Sequence, residues 1–276
     1  MKEFKASDLK KLYVPARGSH KGQNGKLMII GGSVLFHAAS LWALDIASRI
    51  VDMVFYSSVD SNNEIVQKEK QEFKNGIIVP REKINHYIDE ADAVLIGPGL
   101  PREEGVEKGD DDTKLLTESL LLKYPNKNWV VDGGSLQVID PSVLPRTAII
   151  TPHHREFKAL FNLDPIAENA AEMARKYNIT ILLKGEADYV TDSSQTVEIS
   201  GGNAGMTKGG TGDVLAGLVG ALYCKNGAFL SASTASYLNK KAGESLFNKV
   251  GYYFNSSDLV DEIPFVMSKL LKNNGE

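Results

Sequence analysis

Short apolar runs alternate along the chain with longer stretches in which apolar and polar positions repeat at helical spacing. Six of these runs have the length of a strand, and apolar and polar residues hardly alternate within them. They cover Lys26–Ile30, Met53–Ser57, Ala93–Ile96, Trp129–Val131, Ala148–Ile150 and Thr180–Leu183. Strands that are buried on both faces have this pattern, so it predicts a mainly parallel sheet covered by helices.

Helical patterns fill most of the segments between and after these strands. They cover Ala38–Val51, Glu82–Glu90, Thr113–Lys123, Glu156–Asn162, Ala167–Tyr177, 211–225, 228–248 and 256–272. Asp188–Thr191 and Thr196–Ile199 flank the turn Asp192–Gln195, which predicts a hairpin or a meander at one edge of the sheet. This β-α alternation predicts a doubly wound, three-layer α/β/α fold with a central sheet of about eight strands. Without a repeat, a linker or a shift in composition, we expect residues 1–276 to form a single domain.

Composition and charge exclude several classes of protein. Apolar residues make up 42% and charged residues 24% of the 276, as in ordinary globular proteins. The formal net charge of -4 argues against a nucleic-acid partner, which would need a basic face. The longest apolar run, Val214–Cys224, is too short to span a membrane, and Met1–Lys11 lacks the apolar stretch of a signal peptide. The single cysteine, Cys224, excludes an intrachain disulfide and fits a reducing cytoplasm, where we expect the protein.

Five of the six acidic residues in the loop 102–112 stand in two adjacent runs. They are Glu103, Glu104, Asp110, Asp111 and Asp112. A metal site and a solvated loop are both compatible with this composition. Adjacent carboxylates repel one another and offer no fixed ligand geometry, which favours the solvated loop.

The segment Gly201-Gly-Asn-Ala-Gly-Met-Thr-Lys-Gly-Gly-Thr-Gly-Asp213 leads directly into an apolar helix. A glycine-rich turn that opens a helix presents free N–H groups and the positive end of the helix dipole, which suits a phosphate. We therefore predict an anion hole formed by the amides of Gly210, Thr211 and Gly212. Asp213 has two interpretations that the spacing leaves open: it caps the helix, or it is a base beside a phosphoryl group in transfer.

Two familiar phosphate-binding loops are excluded by the same residues. A Walker A loop requires Lys-Ser or Lys-Thr after its last glycine, and neither pair follows here. In the dinucleotide fingerprint G-x-G-x-x-G, Leu215 would stand where glycine or alanine belongs. The segment thus indicates phosphoryl chemistry on a different loop.

Five motifs in order resemble those of one enzyme family from about His20 to Asn255. Gly209-Gly-Thr-Gly-Asp213 resembles the anion-hole signature of the ribokinase-like superfamily. The other four motifs are His20-Lys-Gly-Gln-Asn-Gly25 with Gly31-Gly-Ser33, Ala91-Asp-Ala-Val-Leu-Ile-Gly-Pro-Gly-Leu100, Thr151-Pro-His-His-Arg-Glu-Phe157 and Leu182-Leu-Lys-Gly185. Together they resemble the ADP/ATP-dependent NAD(P)H-hydrate dehydratases.

The resemblance implies roles for particular residues. Those implied to bind substrate are Ala39, Gly99, His153 and Asp213, with Asp213 also the catalytic base. Those implied to bind nucleotide are Lys184, Gly185, Glu186, Ala187, Asp188 and Gly212. Taken alone, Gly99 is compatible with a plain turn, His153 with a structural or surface role, and Lys184 with a solvated side chain. Glu156 is interpreted as a helix first-turn charge outside the site.

The chain departs from the family at two places. His37-Ala-Ala-Ser40 stands where His-Gly-Ala-Pro is usual, and Asp132-Gly-Gly134 lacks a second acidic residue that is common there. The N-terminal epimerase domain of fused members is also absent from the sequence, so we expect a separate NAD(P)H-hydrate epimerase in the same pathway. We further expect a homo-oligomer.

The implied reaction is repair of the hydrated S-form of NADH or NADPH. ADP or ATP phosphorylates the ring hydroxyl, and the phosphate then leaves. Mg²⁺ is the implied cofactor, but the sequence identifies no ligands for it. The alternatives are a small-molecule kinase of the same superfamily, acting on hydroxyethylthiazole, hydroxymethylpyrimidine or a sugar alcohol, and a nucleotide-binding regulator without turnover. Asp213 argues against the regulator, since binding alone gains little from a carboxylate there.

Overall fold

The computed structural model describes residues 2–102 and 105–273. The strands in these residues are β1 Lys2–Glu3, β2 Lys26–Ile30, β3 Met53–Ser57, β4 Ile77–Ile78, β5 Ala93–Ile96, β6 Asn128–Val131, β7 Ala148–Ile150, β8 Thr180–Leu183, β9 Asp188–Thr191 and β10 Thr196–Ile199. The helices are α1 Ala38–Ser48, α2 Asp60–Glu69, α3 Ile84–Glu90, α4 Thr113–Lys123, α5 Gly133–Val138, α6 His154–Phe161, α7 Ala167–Tyr177, α8 Thr211–Tyr223, α9 Ala228–Val250 and α10 Ser256–Asn273. Short 3-10 helices cover Ala6–Lys11, Arg81–Lys83, Pro141–Val143 and Ala204–Thr207.

All of these strands belong to one sheet. Their order is β1-β10-β9-β8-β7-β6-β5-β2-β3-β4. The seven strands from β4 to β8 in this order are parallel, and β9 is antiparallel to both of its neighbours. The predicted mainly parallel sheet is thus confirmed. β9 and β10 form the predicted hairpin, but the edge position was wrong, because β1 pairs with β10 and is the outermost strand. The ten strands exceed the expected eight because β1 and β4, two residues each, are too short to give a sequence pattern.

Two apolar cores cover the two faces of the sheet. On β2, Leu27 and Ile29 pack into the core that contains α1, α8, α9 and α10. Met28 and Ile30 point to the opposite core, with α3 to α7. Because both faces are buried, every residue of a central strand can be apolar, and this explains the missing alternation in the sequence. The predicted three-layer α/β/α architecture is confirmed.

The helices differ from the sequence prediction in a few places. α2 and α5 were not predicted, since α2 begins with the polar run Asp60–Asn63 and α5 begins with two glycines. The predicted helix Glu82–Glu90 is a 3-10 turn followed by α3. In the part of the chain that the structure describes, no helix combines the length and apolarity needed to cross a membrane.

The three aspartates of the acidic loop anchor it to the rest of the protein. Asp110 accepts the backbone N–H of Val34 at 2.7 Å, and Asp111 pairs with Arg81 at 2.6 Å. Asp112 caps α4. Glu103 and Glu104 lie outside the described residues. Among residues 2–102 and 105–273, no group of three or more His, Cys, Asp or Glu side chains is placed to hold a metal ion.

Candidate active site

Loops that follow the parallel strands meet at the carboxyl edge of the sheet. The loop after β2 contacts the loop after β5, where the N–H of Gly32 donates to the carbonyl of Pro98 at 2.8 Å. The loop after β6 also packs closely against the loop after β5. A Cβ on Gly134 would lie only 2.1 Å from the carbonyl oxygen of Leu100. This packing leaves no room for a side chain at residue 134, where an acidic residue is common in related motifs.

Ala39 and Gly99 are neighbours at this edge. Ala39 lies in the first turn of α1, and its Cβ is 3.2 Å from the position that a Cβ on Gly99 would occupy. The carbonyl oxygen of Phe36 is 2.8 Å from that same position. The structure thus brings together two of the residues expected to bind substrate.

His153 is the N-cap of α6 and forms a reciprocal pair with Glu156. The backbone N–H of Glu156 donates to His153 Nδ1 at 3.0 Å, and the N–H of His153 donates to Glu156 Oε2 at 2.9 Å. Because Nδ1 accepts this hydrogen bond, the neutral imidazole carries its proton on Nε2. The side chain is 48% exposed, so His153 has a structural role that leaves it accessible to a ligand.

Lys184 and Asp132 form a nearly buried ion pair between the ends of β8 and β6. Lys184 Nζ lies 2.9 Å from Asp132 Oδ1, and the hydroxyl of Thr151 donates to the same oxygen at 2.6 Å. The Lys184 side chain is 17% exposed and that of Asp132 3%. Burial alone would lower the pKa of Lys184, but the charges of Asp132, Glu156 and Asp213 raise it, so the amine stays protonated.

Glu156 belongs to the same electrostatic cluster, although the sequence placed it outside the site. Its carboxyl group is buried, and burial raises its pKa. The negative charge of Asp132 raises that pKa further, whereas Lys184 opposes the shift. The signal for Glu156 in the sequence was weak because its partners come from three distant segments.

Asp213 is the third residue of α8, and the N-cap of this helix is Gly210. Gly210 has no side chain with which to cap the helix, and the Asp213 carboxylate accepts a hydrogen bond from its own backbone N–H, so the capping interpretation and the base interpretation of Asp213 both stay predictions. Burial, followed by the charge of Asp132, raises the pKa of Asp213 to about 7, while Lys184 opposes this shift. A carboxyl group with such a pKa can exchange a proton near neutral pH.

The turn before α8 is shaped by Gly210 and Thr211, and the anion hole itself stays a prediction. Of its three expected donors, the N–H of Thr211 already donates to the carbonyl of Lys208 at 3.4 Å. Gly210 has φ +94°, and a Cβ there would lie 2.3 Å from the ring of Trp42. The Thr211 hydroxyl donates to the carbonyl of Met206 at 2.7 Å, which fixes the turn. A Cβ on Gly212 would lie 3.5 Å from Lys184 Nζ, so the ammonium group faces the first turn of α8.

A cavity of about 1210 Å³ opens beside this turn. Its described wall includes all of the residues expected to bind nucleotide, namely Lys184, Gly185, Glu186, Ala187, Asp188 and Gly212. The expected substrate residues Ala39, Gly99, His153 and Asp213 lie outside that wall. The two predicted groups therefore occupy different places at the same sheet edge.

Side chains of α9 hold the segment 184–188 in place. Asp188 accepts the N–H of Gly185 at 2.9 Å and the hydroxyl of Ser236 at 2.7 Å. Lys240 Nζ lies 3.4 Å from Asp188 and donates to the carbonyl of Glu186 at 2.9 Å. The carboxylate of Asp188 thus shapes the loop, and its contact with nucleotide stays a prediction.

Comparison with known proteins shows the family to which the chain belongs. A sequence model of the NAD(P)H-hydrate dehydratase family matches residues 27–265. The chain belongs to this family. It is 38% identical over 271 residues to the bifunctional NAD(P)H-hydrate repair enzyme Nnr of Methanocaldococcus jannaschii, covering 94% of the chain and 51% of the relative. It is 33% identical to the ADP-dependent (S)-NAD(P)H-hydrate dehydratase of Nitrosopumilus maritimus, covering 94% of each chain. The chain therefore spans about half the length of the bifunctional relatives it matches and nearly the whole of the shorter one.

Solved structures support the fold. A ribokinase-like superfamily protein from Enterococcus faecalis superposes with a TM-score of 0.85 at 21% identity, covering 98% of this chain and 96% of that one. The ADP/ATP-dependent NAD(P)H-hydrate dehydratase of Bacillus subtilis, co-crystallized with ATP/Mg²⁺, gives a TM-score of 0.78 at 21% identity, covering 98% of each chain. The ribokinase-like fold expected from the sequence is confirmed.

In this member of the family, the structure adds residues that the sequence did not assign to the site. Asn239 and Lys240 on α9 line the cavity, and Asn239 Oδ1 is buried without a hydrogen-bond partner. Asn203 stabilises the turn before α8: its Oδ1 accepts the N–H of Gly205 at 2.9 Å, and its Nδ2 donates to the carbonyl of Gly243 at 2.8 Å.

Proposed function

We propose that the protein catalyses the ADP- or ATP-dependent dehydration of the S-form of NAD(P)H hydrate to NAD(P)H. The observation that carries this proposal is the placement of Asp213. Its carboxyl group lies in the first turn of α8, within the electrostatic influence of Asp132, Lys184 and Glu156, and has its pKa raised to about 7. Membership of the dehydratase family favours dehydration over the alternative of a small-molecule kinase.

The proposed reaction has two steps. In the first, Asp213 accepts the proton of the ring hydroxyl while the hydroxyl oxygen bonds to the terminal phosphorus of the nucleotide, and the bond from that phosphorus to the leaving nucleotide breaks. In the second, the C–O bond breaks, inorganic phosphate leaves, and loss of a ring proton restores the dihydropyridine. Phosphate is a much better leaving group than hydroxide, which is why a nucleotide is consumed.

The amides of Gly210, Thr211 and Gly212 would stabilise the charge of the phosphoryl group in transfer. On the substrate side we assign Ala39, Gly99 and His153, whose Nε2–H is available as a donor. On the nucleotide side we assign the segment 184–188 together with Gly212. The cavity next to this segment supports that assignment.

Mg²⁺ is proposed to arrive with the nucleotide. The described residues do not fit a resident Mg²⁺ site, because they contain no three-ligand cluster and Asp132 is already engaged by Lys184 and Thr151. When bound, Mg²⁺ would neutralise the nucleotide phosphates, with phosphate and water oxygens as its ligands.

An absorbance assay tests the proposed function. Purified protein is incubated with NADH hydrate or NADPH hydrate and either ADP or ATP, and the absorbance of the reduced ring is followed. We expect that absorbance to grow only when a nucleotide is present, with release of inorganic phosphate. A phosphorylated hydrate that accumulates would instead indicate a kinase, and nucleotide binding without turnover would indicate a regulator.

We propose that the protein acts in the cytoplasm as a homo-oligomer, alongside a separate NAD(P)H-hydrate epimerase. The bifunctional relatives, named as NAD(P)H-hydrate repair enzymes, support a second activity on the same substrate. Light scattering on the purified protein measures the oligomeric state, and a monomer would contradict that part of the proposal.

A further inference from the structure

Asp132 has no role in the site expected from the sequence, yet it lies at the centre of the cluster. Its backbone N–H donates to the carbonyl of Ile96 at 3.0 Å, which fixes the residue against β5. Its Oδ1 receives both the Lys184 ammonium at 2.9 Å and the Thr151 hydroxyl at 2.6 Å. Three parallel strands, β6, β7 and β8, each contribute one member of this trio.

Lys184 points from this anchor towards the predicted phosphate position. Its Nζ lies 3.5 Å from the position that a Cβ on Gly212 would occupy, and both residues line the cavity. A lysine side chain has four rotatable bonds, so an unanchored ammonium would lose entropy on reaching that position. Held by Asp132, it is already in place before any nucleotide binds.

We propose that Asp132 is a positioning residue that, supported by Thr151, fixes the Lys184 ammonium beside Gly212, where it contacts the phosphoryl group in transfer. This inference rests on the proposed function for its place in the reaction. In it, Asp132 acts on the phosphoryl group through Lys184 and touches neither substrate nor nucleotide. Because the charge of Asp132 also raises the pKa of Asp213, kcat is compared well above that pKa, where Asp213 is ionised in every variant.

A double-mutant cycle tests this inference. The variants are Asp132→Asn, Lys184→Met and the double substitution, and kcat, the nucleotide KM and the affinities for ADP and AMP are measured for each. We expect Asp132→Asn to lower kcat by about 10–10²-fold, with a smaller change in KM. In the Lys184→Met background we expect no further loss, since a residue that acts through another has no effect once the other is gone. Losses that multiply would overturn the proposal, as would a normal kcat for Asp132→Asn.

Thr151 gives a milder second test. Thr151→Val removes the hydroxyl while keeping the shape, and it should lower kcat in the same direction as Asp132→Asn. Thr151→Ser keeps the hydroxyl and should restore the rate. Equal rates for both variants would contradict the supporting role of Thr151. These variants also keep the inference testable if Asp132→Asn alone does not fold.

Glu262 provides a matched control outside the site. It is a buried carboxylate that binds a lysine and a hydroxyl, as Asp132 does. Its Oε1 accepts the Ser245 hydroxyl at 2.6 Å, and its Oε2 pairs with Lys249, which is more exposed than Lys184. Glu262→Gln should leave kcat unchanged and should not be coupled to Lys184→Met. If it produced the same coupling, the effect at Asp132 would be a general result of breaking a buried pair.

Nucleotide affinity separates this inference from the proposed function. If Lys184 contacts the terminal phosphate, Asp132→Asn and Lys184→Met should each reduce the preference for ADP over AMP several-fold, and the double variant should show no further reduction. This result would support the positioning role even if wild-type protein failed to dehydrate NAD(P)H hydrate. Turnover with an unchanged ADP preference in both single variants would overturn the inference and leave the function intact.

Discussion

Asp213 combines a partly buried carboxyl group with a pKa raised to about 7, and such strongly shifted pKa values cluster at functional sites. For Asp213→Asn we expect kcat to fall by about 10²–10⁴-fold while nucleotide affinity survives, because asparagine keeps the shape but cannot accept the proton. Steady-state rates and calorimetric nucleotide affinity check this prediction. A variant that keeps more than roughly a tenth of the wild-type rate would remove Asp213 from the role of base.

The raised pKa of Asp213 also predicts two pH effects. Only the ionised base is active, so kcat/KM should rise with pH through about 7. The folded pKa lies above the unfolded value of 3.8, so the folded state binds the proton more tightly, and stability falls as pH rises from about 4 through 7.

Asp213→Asn removes this penalty. The variant should therefore unfold at a higher temperature than wild type at pH 8, and this difference should disappear near pH 4. Calorimetric scans at the two pH values measure it. A variant less stable than wild type at pH 8 would show that the carboxylate contributes favourable interactions in the fold.

At the scale of elements, the start of α8 depends on Gly210. Its φ of +94° and the ring of Trp42 both oppose a side chain there. We expect Gly210→Ala to destabilise the protein by about 1–3 kcal/mol and to lower the rate, because the turn must shift. Gly209→Ala is the matched control, since a Cβ at that position meets nothing within 4 Å. Chemical denaturation of both variants measures the difference, and equal stabilities would contradict the prediction.

The same scale shows which elements can be predicted from a pattern. The strand β5 is entirely apolar, β2 and β8 are apolar after their first residue, and the bounds of all three agree with the prediction. α2 and α5 escaped prediction because neither has an apolar face long enough to repeat. Local composition does not predict a helix that is stabilised mainly by its contacts with neighbouring elements of the fold.

At the scale of the whole molecule, the two faces of the sheet should unfold together. The chain has two tryptophans, and they report on different faces: Trp42 packs against the core of α1 and α8, whereas Trp129 is buried in the opposite core. Because both cores share every central strand, we expect one cooperative transition for a single domain. Trp42→Phe and Trp129→Phe each leave one tryptophan as the fluorescent reporter. Within each variant, the unfolding midpoint measured by fluorescence should coincide with the midpoint for loss of helix measured by circular dichroism. Separate fluorescence and circular dichroism transitions within one variant would contradict this prediction.

The sequence alone determined the layered α/β fold, the order of the strands along the chain and the turn that opens α8. These features depend on local patterns: apolar runs buried on both faces, and glycines where the backbone must turn. Asp213 and Lys184 could also be named, because they lie inside short motifs.

Only the tertiary structure decided how these residues act on one another. Asp132 and Glu156 are 81 and 57 positions from Asp213 in the chain, yet both influence its pKa. Their effect depends on burial and on distances across strands β6, β7 and β8, which no spacing along the sequence encodes. The parallel sheet brings the carboxyl ends of these strands to one edge, and there a lysine, three carboxylates and the first turn of α8 become a single electrostatic unit.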